Sequence, residues 1–152
     1  MKICVVGCGA VGSIFAAHLA RLEDVEVHAY DVARDHVDAI NRRGLRLSGA
    51  ADFTVRLHAT TNPAEAPACR FGIVATKSIH TRTAIAQAAR IFDDSSAVCS
   101  VQNGVGNEEI LAEQVRYVIR GTTFPAGHVV EPGHVSYDIA GDTWIGPFEP
   151  TR

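Results

Sequence analysis

No apolar run in the sequence approaches the ~20 residues that a helix needs to cross a bilayer. Positive charge is not in excess either: 14 Lys and Arg stand against 17 Asp and Glu, a net charge of −3. That excludes the basic field expected of a nucleic-acid or anionic-membrane binder. The four cysteines, Cys4, Cys8, Cys69 and Cys99, form no Cys-x-x-Cys pair. The expected state is therefore reduced thiols, serving as small hydrophobes in a cytoplasmic protein. Gly-x-Ser-x-Gly is missing, and so is Gly-x4-Gly-Lys-[Ser/Thr], which removes the serine-hydrolase and P-loop readings. There are no internal repeats and no low-complexity tracts. His128 and His134 flank Glu131, but no third ligand has recognisable spacing, so no metal site is expected and the two read as surface histidines on a hairpin.

What is present fits one α/β domain. A chain of 152 residues can bury roughly 70% of the surface its unfolded form exposes. Lys2 to Gly7 reads as a buried strand rather than a leader peptide, because glycines and a βαβ context follow it. Ala10 to Leu22 spaces Val11, Ile14, Phe15, His18, Leu19 and Leu22 for one helical face, with His18 as a packed histidine. Val25–Tyr30 predicts a second strand and Asp35–Arg43 a helix closed by Gly44. Leu45–Leu47 and Phe53–Leu57 predict a hairpin, and Thr61–Pro67 a turn-rich segment. Strands over Phe71–Thr76 and Ala97–Val101 alternate with helices over Ile79–Ile91 and Asn107–Gln114. A further strand lies within Val115–Phe124. Val129–Val130, Val135–Ile139 and Thr143–Ile145, with a Pro132-Gly133 turn, predict an antiparallel β extension at the C-terminal end. The alternation gives a Rossmann-type, doubly wound, mainly parallel sheet with helices on both faces. The chain stops at IGPFEPTR, just after a strand-like segment. Nothing there resembles a capping element, and a continuation beyond it is expected.

The most informative local feature is Gly7-Cys8-Gly9-Ala10-Val11-Gly12. Gly7 suits a tight turn, Gly9 a close backbone approach to a pyrophosphate, and Gly12 close packing of helix on strand. The N–H groups and dipole of the following helix favour phosphate charge. The loop follows a strand, opens a helix, and precedes Asp31 by the expected interval, 19 residues after Gly12. Dinucleotide binding is the reading; a glycine turn needed only for packing is the alternative. Asp31 ends the second strand, where a carboxylate accepts from both ribose hydroxyls and repels a 2′-phosphate, favouring NAD(H). Arg34 lies close enough to serve a phosphate instead, and Asp31 also suits a turn or helix cap. Cys8, at a helix N-terminus, is a candidate reactive thiol.

Three more stretches fall at carboxyl ends of strands, where ligands bind in open α/β sheets. VATKSIHT places Lys77 beyond one strand. VQNGVGNEE places Asn103 beyond the next, flanked by Gln102 and Gly104. RGTTFPAGHVVEPGHV follows another. Together with GCGAVG, these stretches resemble the N-terminal pattern of the 2-dehydropantoate 2-reductase (ketopantoate reductase) family over nearly the whole chain. The order of the lysine motif and QNGxG is the specific part, since GCGAVG occurs in many dehydrogenases.

The resemblance implies reduction of a small-molecule 2-keto acid, ketopantoate, to pantoate, usually with NADPH, within pantothenate biosynthesis. Residues 1–152 would be the dinucleotide-binding domain. It implies that Gly7 to Gly12 hold the pyrophosphate, that Lys77 sits near the cofactor ribose or phosphate, and that Asn103 contacts cofactor and substrate. Gly127 falls where the family uses a backbone contact to the cofactor. The competing readings are a solvated surface lysine for Lys77 and an Asn-Gly turn residue for Asn103. Two positions depart from the pattern: Asp31 stands where many members have arginine, and Pro125 where some have histidine. His128 is offset from that place and inherits no role, while His80 begins a helix near the site.

The family's proton-donating lysine and key glutamate belong to a C-terminal helical domain absent from this chain, so no catalytic residue is assigned here. The chain alone is expected to bind NAD(P)H with little turnover. An apolar face left by the missing domain would suit a homodimer. A non-catalytic NAD(H)-sensing module is the main alternative, although it has no need of the Lys77 and Asn103 stretches. An FAD domain is a third, since the glycines and Asp31 suit any ADP moiety.

Overall fold

Cys4 and Val6 face one side of the first strand and Val5 the other, and all three are fully buried. A strand covered on both faces belongs in the middle of a layered sheet. The computed structural model describes residues 1–149, so the last three residues of the domain expected over 1–152, Pro150 to Arg152, lie outside the described residues. β1 (Lys2–Val6) leads to α1 (Ala10–Leu19), β2 (Glu26–Tyr30) and α2 (Arg34–Arg43). Three short strands follow: β3 (Leu45–Gly49), β4 (Phe53–Val55) and β5 (His58–Thr60). β6 (Phe71–Val74), α3 (Thr81–Ala88), β7 (Ala97–Ser100), α4 (Asn107–Ala112) and β8 (Tyr117–Thr123) continue the alternation. The described chain closes with β9 (Ala126–Glu131), β10 (His134–Ile139) and β11 (Thr143–Pro147).

Seven strands form the main sheet in the order β11-β8-β7-β6-β1-β2-β5. All its pairs are parallel except the β11–β8 edge. The strand order reverses beside β1, which opens a crevice at the carboxyl ends. One apolar cluster joins Val5, Ile14, Val27 and Ile40 on the α1 and α2 side. The other joins Val6, Val74, Ile85 and Leu111 on the α3 and α4 side. This is the doubly wound α/β architecture expected from the alternating elements. No helix among the described residues is long and apolar enough to cross a membrane.

The C-terminal strands differ from the expectation in one respect. They do not form a single extension. β9 and β10 pair antiparallel through the Pro132-Gly133 turn, but β10 also pairs parallel with β3, making a second sheet in the order β4-β3-β10-β9. β11 returns instead to the main sheet, antiparallel to β8. The physical reason is a buried cross-strand pair: Val135 lies opposite Leu47, and both are fully buried. This second sheet covers α1, and Leu47, Val135 and Tyr137 share a core with Ile14.

Smaller differences are local. α1 stops at Leu19, because Arg21 and Leu22 donate to His18 and Leu19 in tighter turns and Leu22 is exposed. β5 falls between the expected hairpin strand and the turn-rich segment; it has one buried residue, Ala59, and too little pattern to announce itself. The expected helix over Ile79–Ile91 is α3 flanked by 3₁₀ turns at Ser78–His80 and Ala89–Ile91, and Ile79 faces solvent.

Packing at the start of α1 is extremely close. A Cβ added at Gly12 would lie 1.9 Å from the Gly7 carbonyl oxygen. Gly12→Ala must therefore push α1 off β1, and it is expected to cost on the order of 3 kcal/mol in urea unfolding. Gly9→Ala meets nothing within 4 Å and is expected to change stability by less than about 1 kcal/mol.

Candidate functional site

The carboxyl ends of β1, β2, β6, β7 and β8 open onto one cleft of about 660 Å³. That size is ordinary for a small-molecule or cofactor site. Gly7, Gly9, Ala10, Val11, Asp31, Lys77, Asn103 and Gly127 all line it. Cys8 and Gly12 do not; they sit behind the surface and are buried. His80, Thr123 and Pro125 also line the cleft.

The three loop glycines do different work. Gly7 has φ +86°, and an added Cβ would lie 2.5 Å from the Thr76 methyl and 2.8 Å from the Thr76 nitrogen. The loop thus turns directly against the end of β6. Gly12 lets α1 begin beside that turn. Gly9 faces open space on the cleft side, the room a bulky anion needs to reach the backbone. The first-turn N–H groups of a helix have no partner within the helix, and the helix dipole adds partial positive charge there. The open side of Gly9 leaves room for an anion, and the helix terminus suits one in sign.

Asp31 braces the loop from the end of β2. One carboxylate oxygen accepts the Cys8 N–H at 2.6 Å, and the other accepts the Ala33 N–H at 2.8 Å. The second bond is the turn role considered for this residue. Each carboxylate oxygen retains a further lone pair, so the group can still accept from a ribose. Arg34 opens α2 and is exposed outside the cleft lining.

Cys8 is fully buried, which works against the reactive thiol considered for it. Burial pushes it up to about 12, although Ser13 hydrogen bonding favours the thiolate. Behind it, the Ser13 hydroxyl donates to the Cys8 carbonyl at 2.8 Å and lies 3.4 Å from His36 Nε2. His36 Nδ1 accepts the Gly133 N–H at 3.0 Å. A buried relay therefore ties the glycine loop to the β9–β10 turn, and nothing in the sequence spacing signalled it.

A second buried network lies behind Lys77 and Asn103. Gln102 Nε2 donates to the Thr76 carbonyl at 2.8 Å, with the Thr76 hydroxyl at 3.0 Å and the Thr81 hydroxyl at 2.7 Å. Thr81 Oγ1 donates onward to Asn107 Oδ1 at 2.9 Å. Asn107 Nδ2 and the Ser78 hydroxyl both reach the Asn103 carbonyl, at 3.3 and 2.6 Å. Lys77, one of two lysines in the sequence, and Asn103 stay exposed at the cleft. A polar residue directly after a buried strand and a threonine opening a helix were the available signals for this network.

The histidines of the second sheet are engaged separately. His128 Nδ1 bonds the Asp138 carboxylate at 2.7 Å, and His134 Nε2 bonds the Ser48 hydroxyl at 2.8 Å. His18 stacks edge-on against Phe53 and Tyr137, at 5.3 and 5.6 Å, while remaining partly open to solvent.

Burial lowers the basicity of His36, opposed by the charge of Asp31, and burial with Arg21 nearby lowers His18. A histidine whose folded pKa is depressed stabilises the fold fully above its unfolded pKa of about 6.5 and loses that contribution as pH falls through the folded value. Urea midpoints are expected to fall between pH 7 and pH 5, and His36→Gln should flatten that dependence.

Residues 3–150 match the family model described as ketopantoate reductase PanE/ApbA. The 2-dehydropantoate 2-reductase of Pyrococcus abyssi is 40% identical over 149 residues, covering 96% of this chain and 47% of that protein. The protein of the same name from Archaeoglobus fulgidus is 33% identical, covering 97% of this chain and 48% of its own length. A solved PanE/ApbA family ketopantoate reductase from Ralstonia eutropha superposes with a TM-score of 0.88 at 30% identity, over 98% of this chain and 50% of that one. D-mandelate dehydrogenase, solved with NADH and anilino(oxo)acetate, shares the fold at a TM-score of 0.84 and 23% identity. The chain spans about half the length of the curated relatives it matches. It belongs to the ketopantoate reductase PanE/ApbA family.

Proposed function

We propose that this chain is the nicotinamide-cofactor-binding half of a 2-keto acid reductase, acting on 2-dehydropantoate to give pantoate. The observation that carries the reading is the arrangement of one cleft. Gly9 is open to a phosphate, Asp31 stands at the β2 end, and Lys77 and Asn103 stand on the adjacent strand ends. In such a reductase, the bound nicotinamide supplies a hydride to the keto carbon. The chain's own groups bind and orient. The loop and the α1 N-terminus hold the pyrophosphate, Asp31 accepts from the adenosine ribose, and Lys77 offers a mobile cation to ribose or phosphate. Asn103 carries a donor and an acceptor in one amide, suited to bridging cofactor and substrate. Gly127 offers its backbone across the cleft.

The proton for the developing alkoxide is assigned to the lysine of the family's C-terminal helical domain, with its glutamate as a partner. As a 152-residue polypeptide the chain is then expected to bind cofactor with little ketopantoate turnover. A purely sensory NAD(H) module would need the glycine loop and Asp31 but not Lys77 and Asn103 braced beside them. That pairing favours the enzyme.

For cofactor choice we infer NADH, from the charge of Asp31, against the NADPH usual in the family. Fluorescence titrations with both nucleotides test this. NADH is expected to bind more tightly, and Asp31→Asn, which keeps an acceptor but removes the charge, should narrow the gap about tenfold. Tighter NADPH binding by the unmodified chain would reverse the preference, and binding of neither would remove the site assignment.

A further inference from the structure

Lys77 and Asn103 share a cleft only if two separate strand ends keep a fixed spacing. β6 and β7 stop at Val74 and Ser100, and the residues beyond them are irregular. Irregular segments hold position when their buried polar groups are satisfied in only one way. Resting on the reading of the cleft as a nicotinamide-cofactor site, we propose that Gln102 is a positioning residue that sets the spacing of Lys77 and Asn103.

The network has one direction. The Thr81 hydroxyl gives its proton to Asn107 Oδ1, so it must accept from Gln102 Nε2. The second Nε2 proton then goes to Thr76, at its carbonyl or its hydroxyl. This fixes the amide orientation: nitrogen toward Thr76 and Thr81, oxygen toward the Ser100 hydroxyl 3.4 Å away. Gln102, Thr81 and Asn107 are all buried; Gln102 also reaches the cleft wall, whereas Thr81 and Asn107 do not, so the Thr81 variants separate positioning from direct contact. Thr76 directly precedes Lys77, and Ser78, which bonds the Asn103 carbonyl, directly follows it. Lys77 is therefore held on both sides. Asn103 is held by Gln102 on one side and by the Ser78 and Asn107 bonds on its own carbonyl.

The opposite end of the same strand pair supplies a control. Ser96 is also buried, and its hydroxyl donates to the Cys69 carbonyl at 2.8 Å, tying together the segments just before β7 and β6, away from the cleft lining. Ser96→Ala tests loss of a buried hydrogen bond between these segments without touching the spacing at the site.

The experiment titrates NADH and NADPH into the unmodified chain, Gln102→Met, Thr81→Val, Thr81→Ser and Ser96→Ala, with a urea midpoint for each. Gln102→Met keeps length and apolar bulk but loses both donors. Dinucleotide affinity is expected to fall about tenfold for Gln102→Met and severalfold for Thr81→Val. Thr81→Ser restores the hydroxyl and should restore affinity. Ser96→Ala should lose stability and keep affinity. The proposal is overturned if Gln102→Met and Thr81→Val bind like the unmodified chain, or if Ser96→Ala weakens binding equally. Failure of the unmodified chain to bind either nucleotide removes the site reading itself, and this inference with it; that result is visible before any variant is compared.

Discussion

The cleft depends on one backbone contact, the seating of α1 against the end of β1. With the Gly7 carbonyl 1.9 Å from where a Gly12 Cβ would lie, no side chain can separate helix from strand. The helix N-terminus is thereby brought to the sheet edge, where Gly9, Ala10 and Val11 line the opening. Gly7 in turn lies against Thr76, so the same contact fixes the end of β6 relative to the loop. Every group assigned to the cofactor is placed relative to that elbow. A longer side chain at either glycine would move the anion cradle away from Asp31 and Lys77 together.

Around the elbow, groups that face the cleft are separated from groups that hold them. Asp31 does both, since its carboxylate lines the opening while bracing Cys8 and Ala33. Elsewhere the division is nearly as mixed at one residue, Gln102, and sharper at the others. Lys77 and Asn103 face the opening, Thr81 and Asn107 sit buried behind them, and Gln102, though mostly buried, also reaches the cleft wall. Ser13 and His36 tie the loop to the β9–β10 turn, so the second sheet is joined to the glycine loop by hydrogen bonds as well as packing. Buried polar groups with a single satisfying geometry hold the cleft wall in one arrangement.

Much of this was legible in the chain because the signals are local. The glycine spacing, the strand before it and Asp31 after β2 all lie within one βαβ unit, and Lys77 and Asn103 each follow a recognisable buried strand. The pairing of β10 with β3 was not legible, because Val135 and Leu47 meet only in three dimensions. β5 was missed for a different reason: three residues with one buried alanine carry almost no pattern. Cys8 was expected as a small hydrophobe, with reactivity open from its place at a helix N-terminus; its full burial favours the first. Gln102 stood beside Asn103 in plain view, but its partners Thr76 and Thr81 come from another strand end, so its role needed the fold.

We propose that the glycine elbow, Asp31, Lys77 and Asn103 form one dinucleotide site. Backbone amide chemical shifts followed by NMR during NADH addition test it most directly. Shifts are expected to concentrate at Gly9, Ala10, Val11, Asp31, Lys77 and Asn103, around the cleft. Shifts confined to the smaller hollow lined by Glu26, Asn41, Arg56 and His58 would contradict it, as would no shifts at all.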